Sequence, residues 1–145
     1  MKYLSKSEKQ TKKIAEGLAK KLKGGEVIAL TGNLGAGKTT FIQGLAKGLK
    51  IKKNVNSPTF VLMKIYPVIN SCILYLCHID AYRIKNPMEL EDIGALEYFR
   101  DKNTVSIIEW ADKIKSILPK KNIEIIIKHA KKENERTIDI NYKKS

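Results

Sequence analysis

One stretch of the chain is built to hold a polyphosphate: Gly32-Asn33-Leu34-Gly35-Ala36-Gly37-Lys38-Thr39 satisfies G-x-x-x-x-G-K-S/T at every fixed position. The glycines let successive backbone N–H groups curl around an anion where a Cβ would clash. A helix starting near Lys38 turns its positive dipole end toward the same phosphates. In this pattern the Lys38 ammonium reaches the β- and γ-phosphates, and the Thr39 hydroxyl is a ligand for Mg²⁺. Leu34, Gly35, Ala36, Gly37 and Thr40 complete the nucleotide-binding loop. No N-K-x-D stretch is present to select guanine, so ATP is the expected nucleotide.

Phosphoryl transfer also needs a carboxylate near the metal and a group that orients water. Two apolar runs end in acids, ILYLCHID at Asp80 and TVSIIE at Glu109. On residue pattern alone they are interchangeable as the metal-side carboxylate. Strand alternation puts His78 on the face of Asp80, with Cys77 and Ile79 on the other, so His78 orients Asp80 or fills space. Ser57-Pro58-Thr59-Phe60 falls where a switch loop would lie, after the loop's helix and before the next strand. Thr59 is a candidate sensor of the γ-phosphate or its metal, with a plain Pro turn as the alternative.

These groups need elements to position them. Ser5-Lys6-Ser7-Glu8 reads as a capping box opening a helix with Ile14, Leu18 and Leu22 on one face, stopped by Gly24-Gly25. VIAL is a short buried strand leading into the glycine-rich loop, and Phe41, Ile42, Leu45 and Leu49 mark an amphipathic helix after it. A strand from about Phe60 to Tyr66, a turn at PVINS and the CILYLCHID strand suggest a hairpin. Asn86 caps a helix with Pro87 at its first position, and Gly94 breaks it before ALEYF. TVSIIEW is a strand, ADKIKSIL a short helix, and IEIIIKHA with RTIDINY a terminal strand pair. The expected fold is a single α/β domain over residues 1–145, a P-loop NTPase fold with a mixed central sheet flanked by helices.

Composition narrows the class. An apolar share of 43% with 30% charged residues describes a globular chain rather than a disordered one. The longest apolar runs are too short to span a bilayer and the N-terminus has no apolar signal region, so the cytoplasm is expected, with no membrane partner. Cys72 and Cys77 are expected as two buried thiols in a reducing compartment. Net charge is +13, carried almost wholly by lysine, with arginine only at 83, 100 and 136. Such a field favours an acidic partner or nucleic acid, but lysine supplies little of the planar fork that reads bases.

In order and spacing, GNLGAGKTT, SPTF, HIDAYR with PMELEDIG, IEW and a late ERT resemble the TsaE family, formerly YjeE, over nearly the whole chain. The resemblance implies a slow P-loop ATPase that uses ATP and Mg²⁺ and acts with TsaD and TsaB in threonylcarbamoyladenosine modification of tRNA at position 37. Contact with the tRNA itself would be indirect, with direct contact open. It implies that Lys38 serves the phosphates and that Thr39 and Glu109 serve the metal, moving the direct metal role to Glu109. Asp80 becomes a companion in the switch region, in reach of the metal through water. Thr11, Trp110 and Arg136 match positions near the nucleotide, and His78, Tyr82 and Arg83 join Ser57, Pro58, Thr59 and Phe60 in the switch apparatus. Asn33, where an acid is common, and Ala81, where a larger apolar residue is usual, depart mildly from the family pattern. Two other functions fit the P-loop: a nucleotide-gated binding switch with negligible turnover, and a small-molecule kinase, which would want more lid arginines than the three present.

Overall fold

The computed structural model describes residues 1–33, 35–56, 61–70 and 72–144. Its strands are β1 (Lys2–Ser5), β2 (Val27–Thr31), β3 (Met63–Asn70), β4 (Ile73–Asp80), β5 (Thr104–Glu109), β6 (Asn122–His129) and β7 (Arg136–Lys143). Its helices are α1 (Glu8–Ala19), α2 (Lys38–Gly48), α3 (Met88–Asp92) and α4 (Ala95–Arg100), with a 3₁₀ segment at Ala111–Ile117. All seven strands form one sheet in the order β1-β7-β6-β2-β5-β4-β3. The central four, β6-β2-β5-β4, run parallel, while the β3, β7 and β1 pairings are antiparallel. The α/β fold with a mixed sheet expected from the sequence is therefore found.

Burial on both faces explains the sequence of the central strands. Every residue of β5 is buried, and β2 is apolar and buried from Val27 through Leu30, as a covered parallel sheet requires. Ile28, Leu30 and Ile107 face the layer formed by α1 and α2, whereas Ala29, Ile79 and Ile108 face α3, α4 and the 3₁₀ segment. The carboxyl ends of β2, β5 and β4 lie side by side, with Leu30 opposite Glu109 and Glu109 opposite Asp80. Parallel α/β sheets place their ligands at this edge.

One strand is added and several local expectations are corrected. Residues Lys2–Ser5 form an edge strand paired to β7, an element too short to show a periodicity of its own. The helix cap sits two residues later than expected: Ser7 Oγ accepts from the Gln10 N–H at 3.1 Å, and Gln10 Oε1 accepts from the Lys6 N–H at 2.7 Å. α1 then ends at Ala19, ahead of Leu22 and the glycine pair. The expected PVINS turn does not form over residues 67–70, since β3 continues through Pro67 to Asn70 with a register irregularity between them; Ser71 lies outside the described residues. Pro67 is tolerated because β3 is an edge strand, where a missing N–H need not interrupt a ladder. Cys72 is exposed just ahead of β4, and only Cys77 is buried. α3 starts at Met88 with Pro87 in the cap position, one residue later than expected, yet the Asn86 side chain still accepts from the Met88 N–H at 3.0 Å, while Glu89 accepts from the N–H groups of Lys85 and Asn86.

Candidate nucleotide site

The turn from β2 into α2 opens a cleft of about 680 Å³. Its glycines perform two distinct tasks. Gly35 and Gly37 adopt left-handed φ values of 77° and 105°, which side chains resist, although the space around them is open. Gly32 is needed for proximity, because a Cβ there would lie 2.7 Å from the Ile127 carbonyl oxygen of β6. The path of the loop is thus set by backbone conformation at its tip and by sheet packing at its base. α2 begins at Lys38, so its unpaired N–H groups open into the cleft.

Lys38 is 6% exposed and folds back on its own loop. Its ammonium donates to the Gly32 carbonyl and, at 3.4 Å, to that of Asn33. It also lies 3.8 Å from the centroid of the Trp110 ring, a cation–π contact. Burial lowers its pKa below the ordinary lysine value, and the charges of Glu109, Asp80 and Asp112 draw it partly back. An anion placed in the cleft would supply the charge that these weak acceptors only approximate.

The two strand-end acids occupy different environments. Glu109 is 3% exposed and its carboxylate meets His78 Nε2 at 2.8 Å. His78 Nδ1 has no hydrogen-bond partner among the described residues, so a proton on Nε2 leaves no N–H orphaned. His78 shares the face of Asp80, as alternation demands, yet its hydrogen bond goes to the other acid. Asp80 is half-buried and accepts from the Tyr82 N–H at 3.0 Å. Burial raises its pKa above the usual carboxylate value; the Tyr82 N–H opposes this, the Glu109 charge adds to it, and His78 and Lys38 oppose it.

Trp110 follows Glu109 directly and holds a left-handed φ of 58°, a strained conformation for a bulky residue. That kink turns the chain out of β5 and lays the indole along the cleft, with Tyr82 at a ring-centroid distance of 5.1 Å. The Lys113 ammonium lies 5.0 Å from the Tyr82 ring centroid and donates to the Tyr82 carbonyl. A chain of contacts, Lys38 to Trp110, Trp110 to Tyr82 and Tyr82 to Lys113, thus sets two neighbouring rings between two cations beside the phosphate loop.

Of the residues singled out in the sequence, Thr11, Gly35, Gly37, Lys38, Thr39, Thr40, Asp80, Tyr82, Glu109, Trp110 and Arg136 line this cleft. Ala36 is buried behind the loop, and His78 sits beneath Glu109. Arg83 is exposed and does not line the cleft. Leu34 and Ser57, Pro58, Thr59 and Phe60 lie outside the described residues. Arg136 acts on the loop itself: Nε donates to the Ala36 carbonyl at 3.1 Å, and a terminal nitrogen lies 3.4 Å from that of Gly35. Sequence reasoning missed Lys6, Ser7, Glu8 and Asn134, which line the same cleft. The first three arrive there because β1 carries the N-terminus along the sheet edge; the KKENER turn between β6 and β7 delivers Asn134.

Comparison with known proteins identifies the family and the fold. The family model described as "Threonylcarbamoyl adenosine biosynthesis protein TsaE" matches residues 5–138. The chain is 44% identical over 130 residues to the tRNA threonylcarbamoyladenosine biosynthesis protein TsaE of Bacillus subtilis, covering 90% of this chain and 78% of the relative. The protein of the same description from Treponema pallidum is 36% identical over 128 residues, covering 88% and 91%. The crystal structure of Bacillus subtilis YdiB superposes with a TM-score of 0.78 at 35% identity, over 99% of this chain and 86% of that one. A family match across nearly the full length, on a fold that gathers the loop and both acids at one edge, places this chain in the TsaE family of tRNA threonylcarbamoyladenosine biosynthesis proteins.

Proposed function

We propose that this chain binds ATP with Mg²⁺ in the cleft and hydrolyses it slowly, as a cytoplasmic subunit working with TsaD and TsaB. That work is the threonylcarbamoyl modification of tRNA at position 37, and hydrolysis supports repeated turnover rather than the transfer itself. The observation that carries the reading is the Asp80–Glu109 register pair beside the Lys38 loop. One hydroxyl, Thr39, and two carboxylates then border the phosphate end of the cleft, an oxygen-rich set that suits Mg²⁺. Among the described residues no group of three or more His, Cys, Asp or Glu side chains forms a closed cation cage. That fits an ion which takes further oxygens from phosphate and water. When bound, Mg²⁺ would neutralise charge developing on the transferred phosphoryl group.

The chain's own residues supply the remaining functions. Loop N–H groups and the start of α2 bind the phosphates, and Lys38 exchanges its carbonyl partners for phosphate oxygens. Arg136 holds the Gly35 and Ala36 carbonyls outward, keeping their N–H neighbours turned toward the anion. His78 fixes the Glu109 carboxylate from below, and Asp80, the wetter acid, orients water for in-line attack on the γ-phosphate.

ATP turnover by the wild type, Lys38→Ala and Glu109→Gln tests this, alone and with TsaD and TsaB. Losing one preorganised electrostatic group typically lowers turnover by about 10²–10³-fold, the effect expected for both variants. Glu109→Gln should retain nucleotide binding. Equal turnover in all three proteins would remove the site assignment, and tight binding without turnover in the wild type would favour a nucleotide-gated switch.

A further inference from the structure

The net charge of +13 is not spread evenly along the chain. Residues 1–56 carry 13 lysines against three glutamates, whereas residues 57–145 carry 15 basic side chains against 12 acidic ones. The first segment supplies α1, α2 and the chain leaving α2, which together cover one face of the sheet. Farther along α2 from the phosphate loop, and reaching back to Lys12 of α1, lies a second groove, of about 450 Å³. Lys12, Lys47, Lys52 and Lys53 line it, flanked by Asn54 and Asn56, and no acidic side chain among the described residues does. A counter-charge close by is Glu16, 3.5 Å from the Lys47 ammonium, which is itself 77% exposed.

The packing of the two helices brings these lysines together. Gly44 and Gly48 of α2 face α1 so closely that a Cβ at Gly44 would lie 2.6 Å from Lys12 Cα. Lys12 is thereby held at the helix seam, beside the last turn of α2 that carries Lys47. The surface is a built concavity with four like charges and amide side chains for additional hydrogen bonds. Concentrating four ammonium groups in one groove is unfavourable unless an anion is near.

The geometry points to this groove as a docking site for an RNA phosphodiester backbone, so that the chain touches RNA directly at a place separate from its nucleotide cleft. Lysine is depleted from protein–protein interfaces, whose centres need aromatic or aliphatic anchors, and none of the exposed large apolar residues described lines this groove. Lysines and amides without arginine suit repeated, sequence-independent phosphate contacts rather than base readout. The family's place in tRNA modification makes RNA the relevant polyanion. From Lys38 to Lys47 along α2 is roughly 13 Å at 1.5 Å per residue, beyond a Debye length of about 8 Å at physiological salt. Charges of RNA at the Lys47 end of the groove and of ATP in the cleft would therefore couple only weakly. RNA binding in the groove does not depend on hydrolysis, so it can fail while the proposed ATPase stands, and the reverse.

The test is fluorescence anisotropy of an unmodified tRNA transcript titrated with the full chain at several salt concentrations. Four lysine–phosphate contacts predict a log–log salt slope of about −3 to −4, or roughly 100-fold weaker binding between 50 and 200 mM salt. Lys47→Gln/Lys53→Gln should halve that slope and leave basal ATP turnover unchanged, while Lys47→Arg/Lys53→Arg should preserve it. Lys120→Gln/Lys121→Gln, an equal charge loss outside the groove, should change little. Equal weakening by both glutamine pairs, or no effect of the groove pair, overturns the proposal in favour of general charge attraction. Competition by poly-glutamate as strong as by unlabelled tRNA overturns it in favour of an acidic protein.

Discussion

The α1–α2 seam positions both the nucleotide cleft and the basic groove, and glycine-to-alanine substitutions within these two helices should act in opposite directions. Gly17 is exposed on α1, with nothing within 4 Å of a Cβ built there, so only intrinsic propensity changes. Gly17→Ala should stabilise the chain by about 0.5–1 kcal/mol. At Gly44 the same methyl group would meet Lys12 Cα and its carbonyl oxygen at 2.6 Å and Ala15 Cβ at 2.9 Å. Two of those atoms are backbone and cannot swing aside, so α1 must move away from α2. Overpacking of this kind costs about 1–3 kcal/mol, and the propensity gain offsets about 1 of it, which leaves a net loss of up to about 2 kcal/mol. With an unfolding entropy of about 2.1 cal/mol/K per residue, 1 kcal/mol corresponds to some 3 °C in a chain of this size. Thermal unfolding should therefore place Gly44→Ala up to about 7 °C below the wild type and Gly17→Ala about 2–3 °C above it. Because Thr11 and Ser7 travel with α1, Gly44→Ala should also weaken ATP binding measured by titration. A Gly44→Ala protein as stable as Gly17→Ala would refute the close helix contact and the placement of Lys12 that follows from it.

Asp80→Asn should raise the midpoint of thermal unfolding at neutral pH while impairing turnover. Burial raises this carboxyl's pKa, so the folded state favours its protonated form; that preference is complete below the ordinary value of 3.8 and is lost as pH rises through the folded value. The advantage of the Asn variant should accordingly shrink toward zero as pH falls below 3.8, and a pH-independent difference would count against burial of the charge as its cause. Trp110 emission should respond to ATP because binding draws Lys38 from its position 3.8 Å from the ring; a full-sized response in Lys38→Ala at saturating ATP would show that the lysine is not its source. In the native protein one thiol should react with iodoacetamide at neutral pH. That thiol is Cys72, since burial pushes Cys77 up to about 12 despite the opposing influence of Ser106, and double labelling before unfolding, read by mass spectrometry, would contradict it.

The residues closest to the chemistry were readable in the sequence because their local rules are strong. A glycine-rich turn between a buried strand and a helix has few other uses, and an acid ending an apolar run marks the strand edge where ligands bind. Strand order was not readable. Nothing in TVSIIE or ILYLCHID says that the two runs are adjacent and parallel, because pairing is a non-local choice and both are buried on two faces. The elements missed for the same reason are short ones held by distant partners. β1 is four residues paired to a strand more than a hundred positions away, and it is what brings Lys6, Ser7 and Glu8 to the cleft.

Once the two strands are neighbours, the ambiguity between the acids resolves by environment rather than by residue type. Both are carboxylates at the same level of adjacent strands, but β5 lies between β2 and β4, whereas β4 has only the edge strand β3 beyond it. The inner acid, Glu109, is sealed from solvent and held by His78; the outer, Asp80, keeps contact with water and bonds the turn that follows it. A buried, oriented carboxylate beside the loop suits a fixed ligand position, and a wetter one suits water. Sheet position thus gives a physical reason for the division of labour proposed above, which residue pattern alone left open, and exchanging the pair, as Asp80→Glu with Glu109→Asp, should fail: the shorter side chain at 109 withdraws the carboxylate from His78 and leaves both ring nitrogens unpaired in the core. Reduced stability together with lost turnover is the expected outcome. A swapped protein that unfolds and turns over like the wild type would show that the two positions are equivalent after all.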